Sequence, residues 1–145
     1  HLWDANSGGI LLNLAEHEAA VRALDWRGDS RILASAGEDG RVIWWDIVDG
    51  FPAINKPNAH PPTRPAGTYG TILNGVLAAR FDAAGSLVTS GRDAVVRVWN
   101  TDGNEQARFK LKAGIPVSNV MTNDGTTVIS GDSTGKILFW KTKNE

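Results

Sequence analysis

The sequence predicts an all-β fold made of repeated antiparallel units, and three observations carry that expectation. Six tryptophans stand in 145 residues, and four are regularly placed: Trp3, Trp45, Trp99 and Trp140 lie 42, 54 and 41 residues apart. Self-similarity at such a period is the signature of stacked or radial repeats. Short β-branched and aromatic runs recur between Asp-Gly, Gly-Asp and Asn-Asp-Gly turns, the pattern of antiparallel strands. A helix-compatible run is confined to Glu16–Leu24, because Gly and β-branched residues interrupt the rest.

The elements follow in order. The chain opens on His1-Leu2-Trp3-Asp4, which reads as the end of a strand. Predicted strands then run over Ile10–Glu16, Val21–Arg27, Ile32–Ala36, Arg41–Ile47, Phe51–Lys56, Val76–Asp82, Leu87–Ser90 and Val95–Asn100. Four more complete the set: Gln106–Leu111, Val117–Asn123, Thr127–Ser130 and Lys136–Thr142. The neighbours Trp44 and Trp45 must face opposite sides of their strand. Trp44 is expected in a core between units, and Trp26, alternating with Leu24, likewise.

The Trp-Asp endings, the period of about 41 residues and the Ser-x-x-x-Asp-Gly turn before the Trp resemble WD40 repeats. The resemblance implies β-propeller blades, three blade equivalents in this chain. The repeats span approximately 5–47, 48–100 and 101–142, after a partial strand. It also implies a hydrogen-bond network of His, Ser, Asp and Trp that holds each blade. One repeat carries all four, as His17, Ser35, Asp39 and Trp45. The groups are chemically compatible: a carboxylate accepts one imidazole N–H, the other ring nitrogen accepts the hydroxyl, and the hydroxyl oxygen accepts the indole N–H. In the next repeat the set is His60, Ser90, Asp93 and Trp99, with one residue fewer between Ser and Asp. The last keeps Ser130 and Trp140, with Thr134 in the Asp position and Ala113-Gly114 where the His would stand.

A hydrolase triad is the competing use of His, Ser and Asp. Ser35 sits in a predicted strand without a Gly-x-Ser-x-Gly elbow or evident oxyanion donors, so no catalytic residue is expected. The three His, at positions 1, 17 and 60, have no i, i+4 spacing, and the Asp-rich turns lack the alternating ligands of a calcium loop. No metal and no cofactor are expected, and no phosphate loop or dinucleotide fingerprint occurs.

The longer second spacing is explained by an insertion, Pro61–Gly75. His17 precedes Val21 by 4 residues, but His60 precedes Val76 by 16. In a propeller that loop opens on the same face as the turns before each Trp strand. Turn residues Glu38, Arg92 and Ser133, with Arg64 and Tyr69 of the insertion, form the candidate partner-binding face. Their mixed charge suggests a polypeptide partner.

Composition narrows the classes further. Lys plus Arg is 15 and Asp plus Glu is 16, a net charge of −1, which lacks the broad basic footprint of a nucleic-acid or anionic-membrane binder. There is no cysteine, hence no disulfide, thiolate nucleophile or Cys-ligated metal. No apolar run approaches the ~18–20 residues of a membrane helix, and the start has no signal-peptide layout. Opening in mid-pattern, the chain looks like a piece of something longer or a trimmed start. The expected function is a non-catalytic protein-interaction scaffold. Three blades do not close a ring, so head-to-tail homo-oligomerisation is expected: a dimer of six blades, or a trimer of nine. The alternative is a fragment of a larger enzyme or redox protein whose propeller positions a partner or substrate.

Overall fold

A computed structural model describes residues 1–63 and 74–142. Every regular element among them is a strand: β1 (Leu2–Trp3), β2 (Ile10–Leu12), β3 (Val21–Trp26), β4 (Ile32–Gly37), β5 (Val42–Asp46), β6 (Phe51–Lys56) and β7 (Val76–Phe81). The series continues with β8 (Leu87–Gly91), β9 (Val95–Trp99), β10 (Glu105–Lys110), β11 (Pro116–Met121), β12 (Thr127–Asp132) and β13 (Ile137–Lys141). They form antiparallel meanders in sequence order: a pair β1-β2, two four-stranded sheets β3 to β6 and β7 to β10, and a three-stranded sheet β11 to β13. Strand β7 packs against β3 and β4, and β11 packs against β7 and β8. The sheets therefore stack side by side through their first strands, which is blade packing about an axis.

Two apolar seams hold the stack. Ala34, Ala36, Val42 and Trp44 of the second sheet meet Val76, Ala79, Leu87 and Trp99 of the third. Val88, Val96 and Val98 meet Met121 and Val128 of the fourth. Alternation within strands explains the division, since residues two apart share a face. Trp44 is 1% exposed and packs edge-on against Trp99 at 6.3 Å, while Phe109 stacks on Trp140 at 5.3 Å. Such aromatic pairs add about 0.5–1.5 kcal/mol beyond the area they bury. Polar side chains register the same seams. Asp25 accepts the Phe81 amide at 2.7 Å, and the Asn119 carboxamide lies 2.9 Å from the Ser90 hydroxyl.

Turn geometry recurs with the sheets. Gly40, Ala94 and Gly135 occupy the same place in three turns, at φ of 78°, 62° and 86°. Only glycine adopts this left-handed region without cost, and Ala94 carries the strain. At Gly40 a Cβ would also lie 2.5 Å from the His60 carbonyl oxygen.

Two expectations change, and the chain's opening finds a strand partner. The strand foreseen over Ile10–Glu16 ends at Leu12, because the chain must leave the ladder to bring His17 over the next sheet. The opening segment pairs within the chain, Leu2 opposite Leu12 and Trp3 opposite Ile10. Trp26 and Leu24 are not buried between sheets: they share the face of β3 that looks away from the third sheet, and are 41% and 61% exposed. At the opposite end Val120, Ile137 and Phe139 are exposed on the outward face of the last sheet.

Candidate functional site

In the second sheet four side chains form one chain of hydrogen bonds. His17 Nδ1 donates to Asp39 Oδ2 at 2.9 Å, and Ser35 Oγ donates to His17 Nε2 at 2.7 Å. The Trp45 indole donates to Ser35 Oγ at 2.8 Å. Asp39 also accepts the amides of Glu18 and Arg41, both at 3.0 Å. Burial opposes its charge, but those amides and His17 outweigh burial and hold its carboxyl below the usual range.

The connectivity matches a Ser-His-Asp triad, yet its chemistry is spent internally. The Ser35 hydroxyl gives its proton to the ring and receives the indole. Ser35 lies mid-strand between Leu24 and Ile43, so the backbone around it serves the ladder. No cluster of three or more potential metal ligands occurs among the described residues.

The third sheet corrects one assignment. Its hydroxyl is Thr89, not Ser90: Trp99 donates to Thr89 Oγ1 at 2.9 Å, and Thr89 Oγ1 donates to His60 Nε2 at 2.8 Å. Successive strand residues face opposite ways. Ser90 therefore looks into the next seam, where it meets Asn119. The apparent shortening of that turn vanishes, since Thr89 precedes Asp93 by the same four residues that separate Ser35 from Asp39.

This network extends further than the residue pattern indicates. His60 Nδ1 donates to Asp93 at 2.8 Å. Arg97, itself 5% exposed, donates to Asp93 Oδ2 at 2.7 Å and pairs with Glu105 at 3.3 Å. Burial, aided by Arg97, pushes the His60 imidazole below its ordinary value despite Asp93. Burial opposes the charge of Asp93 too, but His60 and Arg97 keep its carboxyl below the usual range. The equivalent of Arg97 opposite Ser35 is Ile43, so the buried ion pair belongs to the third sheet alone among these two.

The last sheet keeps only the indole bond, Trp140 to Ser130 at 2.9 Å. Two residues beyond Ser35 and Thr89 stand Gly37 and Gly91, on which the imidazoles rest. A Cβ at Gly91 would lie 2.4 Å from His60 Nδ1, and one at Gly37 2.7 Å from His17 Nδ1. Two beyond Ser130 stands Asp132, whose carboxylate accepts Thr134 and Lys136 amides at 2.8 and 3.0 Å.

Of the candidate partner face, Glu38, Arg92 and Ser133 occupy one repeated position. Their amides donate to the carbonyls of Ala20, Gly75 and Ile115 at 2.9, 3.0 and 2.9 Å. Each turn is thereby fixed to the start of its sheet's first strand. Glu38 and Arg92 approach to 3.9 Å across the seam, and Ser133 stands apart, accepting the Ile115 amide. Arg64 and Tyr69 lie outside the described residues. The ends of the insertion are built in: His60 donates its amide to the Gly40 carbonyl at 3.1 Å, and a Cβ on Gly75 would meet Glu38 Cα at 2.9 Å. Arg22, not foreseen, pairs with Glu38. The signal available for it was only its place beside the first residue of β3.

Stacked four-stranded meanders with a tryptophan-centred tie in each define repeated propeller blades. The family model described as "WD domain, G-beta repeat" matches residues 8–46 and 65–100, and the chain belongs to the WD40 repeat family. It is 29% identical over 145 residues to pre-mRNA-processing factor 17 of Homo sapiens, covering 97% of this chain and 24% of that protein. It is 27% identical over 106 residues to WD repeat-containing protein 18 of Homo sapiens, covering 72% and 24%. It is 31% identical over 103 residues to WD repeat and SOCS box-containing protein 1 of Takifugu rubripes, covering 70% and 21%. The chain thus spans about a quarter of the length of these relatives or less.

Proposed function

We propose that this chain is a non-catalytic scaffold that binds a polypeptide on its turn face, and that its repeats are 5–47, 48–100 and 101–142. The observation that supports this is the repeated, backbone-pinned position of Glu38, Arg92 and Ser133. A rigid backbone presenting three different side chains from successive blades is suited to specificity without reaction chemistry. The family supports the same reading, since WD repeat proteins typically act with protein partners.

The test compares partners cross-linked to the tagged chain with those of an Arg92→Ala/Ser133→Ala variant and of an outer-rim Arg108→Ala/Lys110→Ala control. The turn-face variant is expected to lose a defined set that the control keeps. Equal loss in both, or no loss in the first, would overturn the reading.

The finer proposal is that the exposed apolar faces at the two ends of the arc are covered head to tail. Leu24 and Trp26 of one copy would meet Val120, Ile137 and Phe139 of the next. A six-blade dimer is favoured and a nine-blade trimer second. Because β1 already pairs with β2, strand exchange is not needed, and blade faces would supply the contact. Light scattering at micromolar concentration decides: a stable soluble monomer refutes closure by a second copy.

A further inference from the structure

Two guanidinium groups from adjacent blades converge on one carboxylate oxygen. Arg22 Nε donates to Glu38 Oε1 at 2.9 Å, its Nη2 bonds the same oxygen, and Arg92 Nη2 lies 3.9 Å away. The Glu38 backbone cannot follow its side chain outward. Its amide is bound to Ala20, and Gly75 packs on its Cα. Its side chain is 32% exposed, against 50% for Arg22 and 37% for Arg92. Nearby arginines are otherwise countered: Arg41 faces Glu18 and Asp39, and Arg80 faces Asp25. Among the described residues, two cations share one anion at the Glu38 carboxylate.

Arg22 also lines an open groove of about 360 Å³ along the first strands of three blades, with Leu24, Leu77 and Val117. Val117 is exposed there, and Leu24 stands at the groove's end. A fork of guanidinium donors suits a carboxylate, and the exposed aliphatic side chains suit an apolar neighbour. We propose that Arg22 and Arg92 form a carboxylate subsite, occupied in the free chain by Glu38, for a partner segment that carries an acidic side chain beside an apolar one. The proposal rests on the reading of this face as a polypeptide-binding surface. Glu38 acts as a built-in competitor, swinging aside when the partner's carboxylate enters. Charge complementarity of this kind sets specificity and association rate more than it sets affinity.

Fluorescence anisotropy of the full chain with three labelled peptides of equal length, alternating Glu-Leu, Gln-Leu or Lys-Leu, tests it. The Glu-Leu peptide is expected to bind about tenfold more tightly than Gln-Leu at low salt, with the preference shrinking as salt rises. Glu38→Gln should tighten Glu-Leu binding several-fold, and Arg22→Gln/Arg92→Gln should erase the preference. Arg22→Lys/Arg92→Lys, which keeps charge but loses the fork, should retain part of it, and this guards against a folding defect in the glutamine pair. Glu38→Gln that fails to tighten binding overturns the proposal, as does a preference that survives loss of both arginines. Equal binding of Glu-Leu and Gln-Leu, or no binding, overturns the subsite alone. The scaffold reading then stands or falls on the Arg92/Ser133 cross-linking comparison.

Discussion

Thr89→Val isolates the hydroxyl at the centre of the third blade, since valine keeps the side-chain shape and removes only the oxygen's bonding. Thr89 and Trp99 are 0% and 6% exposed, and His60 is 1% exposed. Without the hydroxyl the indole N–H and His60 Nε2 both lose their partner inside the protein. A buried polar group left without a partner costs about 1–3 kcal/mol, so the pair predicts a loss of about 2–6 kcal/mol. Ser90→Ala, one residue on, removes a single bond to the Asn119 carboxamide, whose nitrogen keeps the Val88 carbonyl as an acceptor at 3.1 Å and whose oxygen keeps the residue 90 amide at 3.3 Å. It should cost about 1 kcal/mol. Thr89→Ser retains both bonds and loses one methyl, again about 1 kcal/mol. Urea unfolding followed by tryptophan fluorescence gives the three values. A Thr89→Val chain no less stable than Ser90→Ala would refute the assignment of Thr89 to the network.

Two further outcomes follow from the same blade and its turn. Ala94→Gly should raise stability by up to about 1 kcal/mol by relieving a left-handed backbone that Gly40 and Gly135 adopt without strain; a measured loss would mean that the Ala94 methyl matters more in its seam than φ does. Burial lowers the His60 value from 6.5, so the unfolded chain takes up a proton that the folded chain resists. Stability from this source is fully present above pH 6.5 and declines as pH falls below it. Asp93, held below 3.8, adds a second loss at stronger acidity. His60→Gln should flatten the decline below pH 6.5 in a pH series of urea midpoints, and an unchanged slope would place the titrating group elsewhere.

The architecture was legible because its punctuation is local. Tryptophan spacing, Gly-containing turns and alternating strands each follow from short-range rules, and they fixed the meander and the face of Trp44. Thr89 was missed because two hydroxyls stand side by side and a Ser closes the other two runs. The better ruler is distance to the indole: Ser35, Thr89 and Ser130 each stand ten residues before their Trp. Arg97 was hidden for another reason. Within Val-Val-Arg-Val-Trp it looks like the solvent-facing residue of an alternating strand, and only cross-strand register puts it opposite Thr89. Trp26 was misplaced because its periodicity names a face but not what stands against that face.

The glycines under the two imidazoles constrain how such blades can change. With the ring present, any side chain at Gly37 or Gly91 meets it well inside contact distance; with no ring, as in the last blade, Asp132 takes that position and binds the turn itself. The two arrangements are alternatives, and the route between them has a direction. A lineage that loses its histidine first opens room that an aspartate can later fill. A lineage that gains the aspartate first must pass through a clash. To return the last blade to the histidine form, Asp132→Gly would have to come first, because a ring introduced near Gly114 would otherwise meet the Asp132 carboxylate.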